Sequence, residues 1–340
     1  MKRLSLLAVA AAIALAGCNA GGATTSQSSL LSSASRPTAG SSLKPFSMPR
    51  YTGSMAQEIQ SHTRADSAGN RQKKDSLGGL PTFGIDISLL DAPIFGAGAQ
   101  VNLAVIGVQA VSNGTPYDIA SYTSPVLINV LALQRAALPL GQSTLPAMHY
   151  DAIRMIVDPA QSNIVFNGNS LPMSFGFFES SSHAFTASGA PVANIDFPLS
   201  IDGTTGNQSF LIDFNAFESV AISGSGAQIG QTKAAAQETT AAVISGNVVN
   251  SSGSAVSGAT VIAHNPDGSV AGSTQTANDG TFQIHALTAG TYSISVHNSY
   301  VTQAGTNVQA SGVSNQNASQ TLPASNIPAG YQLNVGTITN

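Results

Sequence analysis

The sequence predicts an all-β protein: two β-sandwich-type domains carried on a flexible N-terminal tether. Three observations carry this expectation. Charged residues make up only 8% of the 340 residues while 42% are apolar, and Gly, Ser, Thr, Ala and Asn fill the difference, a composition of strands and tight turns. Strand-like alternation recurs after residue 80 and is punctuated by Asn-Gly and Asp-Gly, which tolerate the positive φ of hairpin turns. Before residue 80 neither a helical nor a strand period persists.

The chain opens on Met1-Lys2-Arg3, a positive start, followed by an apolar run from Leu4 to Ala14 that suits a secretory signal and is too short for a membrane span. Leu15-Ala16-Gly17-Cys18 then takes the place of an ordinary cleavage site. This tetrapeptide resembles the lipobox of bacterial lipoproteins. The resemblance implies removal of residues 1–17, lipidation of Cys18 and attachment to membrane lipid through that residue. In the same class an Asp after the cysteine often holds the protein in the inner membrane. Asn19 here leans towards the outer membrane.

Cys18 is the sole cysteine, so no disulfide framework exists and packed cores have to hold the domains. The net charge is −4, and its distribution is uneven. Residues 19–75 hold seven basic side chains against three acidic ones, whereas residues 76–340 hold three basic against thirteen acidic. A body at −10 repels nucleic acid, which is excluded as a partner.

Residues 18–79 read as a disordered tether. Ser- and Thr-rich runs lie between Pro37, Pro45 and Pro49, and a short helix within 55–75 is the one local signal. A coil of that length spans roughly 40 Å.

The first domain occupies 80–225. Gln100 to Val105 alternates and the parity flips at Ile106-Gly107-Val108, which predicts a bulge at Gly107. Asn113-Gly114 and Asn167-Gly168 predict hairpins, and Pro198 within Ile195–Asp202 predicts an edge strand. Leu127–Arg135 reads as one short helix. Leu90-Asp91-Ala92-Pro93, Leu131-Ala132-Leu133, Leu145-Pro146, Asn167-Gly168 and Leu211-Ile212-Asp213-Phe214 follow one another in the order of a known domain. Together they resemble an uncharacterised bacterial and archaeal domain with an L-x-D-A-P start and an L-D-F-D-A end. Met148-His149 departs from its usual Gly, and Asn215 from its second Asp. The resemblance implies an extracytoplasmic β-domain and no established activity.

Residues 226–241 read as a linker. From 242 to 340, Ile244-Ser245-Gly246-Asn247-Val248, Gly258-Ala259, Asn278-Asp279-Gly280, Phe282, Gly290 and Tyr292 resemble a carboxypeptidase regulatory-like domain, over residues 243–298. That resemblance implies a seven-stranded prealbumin-like β-sandwich. A loop is expected over 300–330 and a closing strand over Tyr331–Ile338. The two domains are expected to fold independently.

No catalytic constellation is present. H-E-x-x-H, G-x-S-x-G and the phosphate-binding loop are missing, and Cys18 is committed to lipid. No cofactor and no metal site is expected: His264, His285 and His297 share the second domain, but predicted pairing gives no reason for them to converge. Asp86, Asp91, Asp196, Asp202 and Asp213 suit strand ends and turns better than acid–base pairs or Ca²⁺. Asp91 and Asp213 stand out because they belong to the matched motifs. The expectation is a non-catalytic envelope or cell-surface lipoprotein that binds or adheres through its β-modules. A glycan or an envelope protein would be its partner, with Tyr replacing the absent Trp as a stacking surface. A structural or assembly role in the envelope is the alternative, and a hydrolase the distant one.

Overall fold

The structure is a computed structural model that describes residues 42–63, 81–91, 99–175, 192–203, 206–223, 226–229, 234–297 and 320–339. It is nearly all β, and residues 37–340 cluster as one compact unit. The signal segment and Cys18 lie outside the described residues.

Two sheets form the first sandwich. Among the described residues nineteen strands are numbered in chain order, and seven of them build its larger sheet: β3 (Gln100–Ser112), β4 (Thr115–Asn129), β6 (His149–Phe166), β7 (Asn169–Ser174), β8 (Ala193–Asp202), β10 (Val220–Ser223) and β11 (Gly226–Ile229). The smaller sheet runs β12 (Ala234–Gln237), β9 (Asn207–Asp213), β2 (Thr82–Leu90) and β5 (Leu138–Pro146). Their facing side chains share one core, in which Phe83, Tyr150, Phe197 and Phe214 are nearly or fully buried.

Several turn signals act as expected. Asn113-Gly114 and Asn167-Gly168 take positive φ (46° and 77°, 50° and 77°) and join β3 to β4 and β6 to β7. The register of β3 shifts at Gly107 against both neighbours, which is the bulge. Pro198 sits on β8, which pairs only with β6 among the described strands. Leu127–Arg135 is not a helix: β4 continues to Asn129, and a single 3-10 turn follows at Val130–Ala132. The pairing Ala104↔Leu127 extends the strand, and no helical propensity competes with a ladder already set by β3.

The second sandwich stacks β13 (Ala242–Val249), β16 (Thr281–Leu287) and β19 (Tyr331–Thr339) against β14 (Thr260–His264), β15 (Val270–Gln275), β17 (Gly290–His297) and β18 (Gln320–Ile327). These are the seven strands that the resemblance implies. Part of the loop expected over 300–330 is therefore strand β18, paired to β17. Ile244, Val248, Phe282, Ile284, Val296 and Ile338 lie in its core.

Residues 42–63 depart from the expected tether. Ser42–Pro45 forms β1, antiparallel to β19, so the N-terminal segment adds an eighth strand to the second sandwich. Phe46 and Met48 then enter the seam between the sandwiches, where Met48 is buried with Leu90, Leu211 and Ala236 of the first and Ala286 of the second. Arg50 bonds to Ser88 and pairs with Glu238 at 2.7 Å. Helix α1 (Ser54–His62) buries Ala56 and Ile59 in the first core. The β1–β19 contacts are main-chain bonds to a sheet edge, which leave no side-chain period to read.

The expected linker over 226–241 is also structured. β11 pairs with β7 and β10, and β12 extends the smaller sheet beside β9. Ala235 and Ala236 fit there because small side chains let β12 lie against the seam. The sandwiches are thus joined through packed residues rather than through a free connection. Ile262 of β14 counts among the first sandwich's core residues, and Ser273 Oγ donates to Asn215 Oδ1 across the seam at 3.2 Å.

A candidate ligand face

Of the residues that the sequence singles out, Asp91 and Asp213 are brought together, and both are about 1% exposed. Parallel pairing sets Leu90 beside Asp213. Asp91 Oδ1 accepts the Ala216 amide at 3.0 Å, and Asp213 Oδ1 accepts the Asn215 amide at 2.9 Å. The two carboxylates hold one turn whose Asn215 sits at φ 43°, a conformation that Asn tolerates. Asn215, the departure from the resembled motif, is the residue that reaches Ser273 of the second sandwich. This geometry organises backbone and offers no surface to a substrate.

The other acidic residues are also engaged. Asp196 takes a two-pronged bond from Arg154 at 2.6 and 2.7 Å, and Asp86 stands 3.9 Å from Arg50. Asp202 lies 2.8 Å from His149 Nδ1, and that bond holds the exposed imidazole above its usual pKa.

The histidines correct one expectation. His264 and His297 do meet: their Nε2 atoms lie 2.7 and 3.2 Å from Ser295 Oγ, because β14 and β17 pair side by side. Ser295 is only 4% exposed, so this serine has no approach for a substrate. His285 stands apart on β16, in the seam, with its ring 5.9 Å from that of Phe46. Among the described residues no group of three or more His, Cys, Asp or Glu could hold a metal ion.

Among the described residues, two clefts stand out as open enough to receive a ligand. The larger, about 600 Å³, runs along the seam and is lined by Asp202, Asn207, Gln208, Gln237, Thr240 and Thr288 among others. Its polar groups come from scattered turns and strand ends. The second, about 460 Å³, lies over the outer face of β13, β16 and β19. Alternation along these strands sends Ile244, Val248, Phe282, Ile284, Leu333 and Val335 into the core. It therefore sends Ser245, Asn247, Thr281, Gln283, Gln332 and Asn334 to the opposite face, where Ser245 and Gln332 are each only 6% exposed and bond to one another. Pairing sets Asn334 beside Ser245 and Ser245 beside Gln283, so hydroxyls and carboxamides form rows across the strands.

One wall of this face comes from the first sandwich. Arg135 donates to Thr281 Oγ1 at 2.5 Å and pairs with Asp279 at 3.5 Å. The Thr281 hydroxyl and amide, and then Arg135, hold the Asp279 carboxyl below the usual range. Beneath this face, on the core side, a Cβ at Gly246 would fall 2.8 Å from the Phe282 ring and from Val335, so the sheet packs closely on its core there. The sequence shows this face only as the mostly amide or hydroxyl members of alternating strands. It carries no motif, and so the sequence reading missed it.

Chemically, the face can exchange many hydrogen bonds with an uncharged ligand.

Residues 84–229 match the family described as Domain of unknown function (DUF4382), and residues 243–323 match the Carboxypeptidase regulatory-like domain. The chain therefore carries the first domain followed by the second. No curated protein matches the chain significantly. Among solved structures, the Bacillus anthracis TIE protein is similar at 11% identity and TM-score 0.19; the match covers 76% of this chain and 33% of that protein. This chain thus spans about a third of that protein's length. The shaft pilin SpaA of Lactobacillus rhamnosus GG is similar at 11% identity and TM-score 0.20, covering 77% of this chain and 97% of the pilin. BcpA, the major pilin subunit of Bacillus cereus, is similar at 13% identity and TM-score 0.21, covering 76% and 99%.

Proposed function

We propose that this protein is a lipid-anchored envelope or cell-surface protein whose outer face on β13, β16 and β19 binds an oligosaccharide without turning it over. The observation that carries this reading is the face itself, where side-chain amides and hydroxyls converge and the flanking charges of Arg135 and Asp279 offset each other. Sugars present hydroxyl and acetamido groups in dense sequence, and paired carboxamides meet both as donor and acceptor. The lipobox-like Leu15-Ala16-Gly17-Cys18 supports attachment through an acylated Cys18, and Asn19 supports the outer membrane. The docked segment begins at Ser42, only 24 residues from Cys18, so the body sits within about 80 Å of its anchor.

The test is a glycan array probed with the soluble chain from residue 19 onward, beside the Asn247→Ala and Gln283→Ala variants. Saturable binding that weakens in both variants while their circular dichroism is unchanged is the expected result. Binding unaffected by either change would refute this face as the site. Labelling with a palmitate analogue tests the anchor, and equal labelling of wild type and Cys18→Ala would refute it.

A further inference from the structure

We propose that residues 42–50 form an acid-released strap across the seam, and that protonation of His285 beneath the strap is what frees it. Two local features meet at this place. Between Ile284 and Leu287 the register of β16 slips by one residue against β13, so β16 carries a bulge. Ile284 and Leu287 both enter the core of the second sandwich, and the two residues between them turn the other way, into the seam. Ala286 holds the bulge at φ 53°, a left-handed conformation that a residue with a Cβ disfavours. His285 is 4% exposed, and neither ring nitrogen has a partner in good geometry among the described residues.

A strained backbone and an unpartnered buried imidazole therefore stand side by side, and neither favours the folded seam by itself. The strap supplies their cover. The Phe46 ring lies 5.9 Å from that of His285, and Met48 shares a buried cluster with Ala286, Leu90, Leu211 and Ala236. The strap is itself lightly held. All four side chains of β1 are exposed on its ladder to β19, the Phe46 amide donates to the Gly330 carbonyl at 3.0 Å, and Arg50 pairs with Glu238. Such a segment opens at lower cost than the cores on either side.

Once the strap lifts, water reaches the ring and the imidazole takes a proton that the docked form excludes. Burial lowers the docked ring from 6.5 to about 4. Docking is then at full strength above pH 6.5, weakens as the pH falls, and levels off below about 4. The charged and titratable groups on the elements around β16 are engaged elsewhere. Arg50 holds Glu238 beyond β12 and stands 3.9 Å from Asp86 of β2, while Arg135 pairs with Asp279. Asp91 and Asp213 accept the Ala216 and Asn215 amides, and His264 of β14 lies on Ser295. Lys44 is exposed on β1, and β13, β15 and β19 carry no charged residue. Only burial and the Gln134 backbone act on the His285 ring.

Release changes the reach of the chain, a consequence that rests on the anchor proposed above, whereas the strap itself does not. With the strap docked, 24 residues separate Cys18 from Ser42; with it free and α1 still docked, 36 residues separate Cys18 from Ser54. The extended span grows from about 80 Å to about 120 Å. Mild acid thus lets the body stand further from the membrane.

The experiment follows amide exchange of residues 18–340 in detergent at pH 7 and pH 5, as protection relative to an unstructured chain at each pH. Protection in residues 42–51 is expected to fall about twentyfold between the two, from the shift of the ring between 6.5 and about 4, while β6 and β13 keep theirs. The fall should vanish in His285→Leu and persist in Glu238→Gln, which removes the carboxylate beside Arg50 but leaves the imidazole. Loss of protection in β6 and β13 in step with the strap would mean global unfolding and overturn the inference. So would a strap unchanged at pH 5, a response that survives in His285→Leu, or one that disappears in Glu238→Gln. Each of these readings comes from the unaltered chain or from a substitution compared with it, and none depends on a glycan being bound.

Discussion

Acidification should destabilise this protein in part through His285. The imidazole is about 4% exposed, lies against Phe46 in the seam, and has neither ring nitrogen in good hydrogen-bond geometry among the described residues. Burial pushes its pKa from 6.5 down to about 4, with the Gln134 backbone pulling weakly the other way. The folded state therefore keeps the ring neutral in a range where the unfolded chain binds a proton. Stability from this residue is complete above pH 6.5, falls as the pH drops, and is fully lost below about 4. At 1.36 kcal/mol per pH unit the total loss is about 3 kcal/mol, and at pH 5 it is already about 2 kcal/mol. The assay is urea unfolding of the soluble chain between pH 7 and 4, for wild type and for His285→Leu. Carboxylates titrate in both chains, so only the difference reports the histidine. The two stability curves should converge or cross as pH falls, with wild type losing about 3 kcal/mol more. Curves that fall in parallel would refute the argument that this ring stays neutral in the seam.

Three further outcomes are expected. Met48→Ala should loosen the docked N-terminal segment by about 2–3 kcal/mol, because Met48 is 4% exposed among residues of both sandwiches. Faster amide exchange over residues 42–50, with the sandwich cores unchanged, is the measurement. Asp91→Ala should cost about 1–3 kcal/mol in a denaturant titration, since the buried Ala216 amide loses its acceptor, while glycan binding survives wherever the chain is folded. Gly246→Ala should destabilise the second sandwich by about 1–3 kcal/mol, because its methyl would press on the Phe282 ring and Val335. A Gly246→Ala chain as stable as wild type would show that this sheet can shift aside.

Much of the fold was legible along the sequence because its signals are local. Asn113-Gly114, Asn167-Gly168, Gly107 and Pro198 each act through the φ, bulge or missing N–H of one or two residues, and each does so where expected. The alternation of Ile244, Gly246 and Val248 against Ser245 and Asn247 likewise belongs to one strand, and it decides which side chains leave the core. The prominence of Asp91 and Asp213 was visible too, since both lie in recognisable motifs.

Other features arise only when distant segments meet. Residues 42–63 look like tether and 226–241 like linker, because an edge strand held by main-chain bonds needs no apolar period, and small Ala residues give none. That Asp91 and Asp213 brace one turn follows from the parallel pairing of β2 with β9, across more than a hundred residues. The meeting of His264 with His297 depends on the β14–β17 register, and the burial of His285 on a seam between two sandwiches. The sequence by itself determined the strand class, the turns, the faces of single strands and the lipobox-like start. Tertiary structure decided which of those faces became a shared surface, because strand order and the sandwich seam are set by long-range pairing that no local pattern encodes.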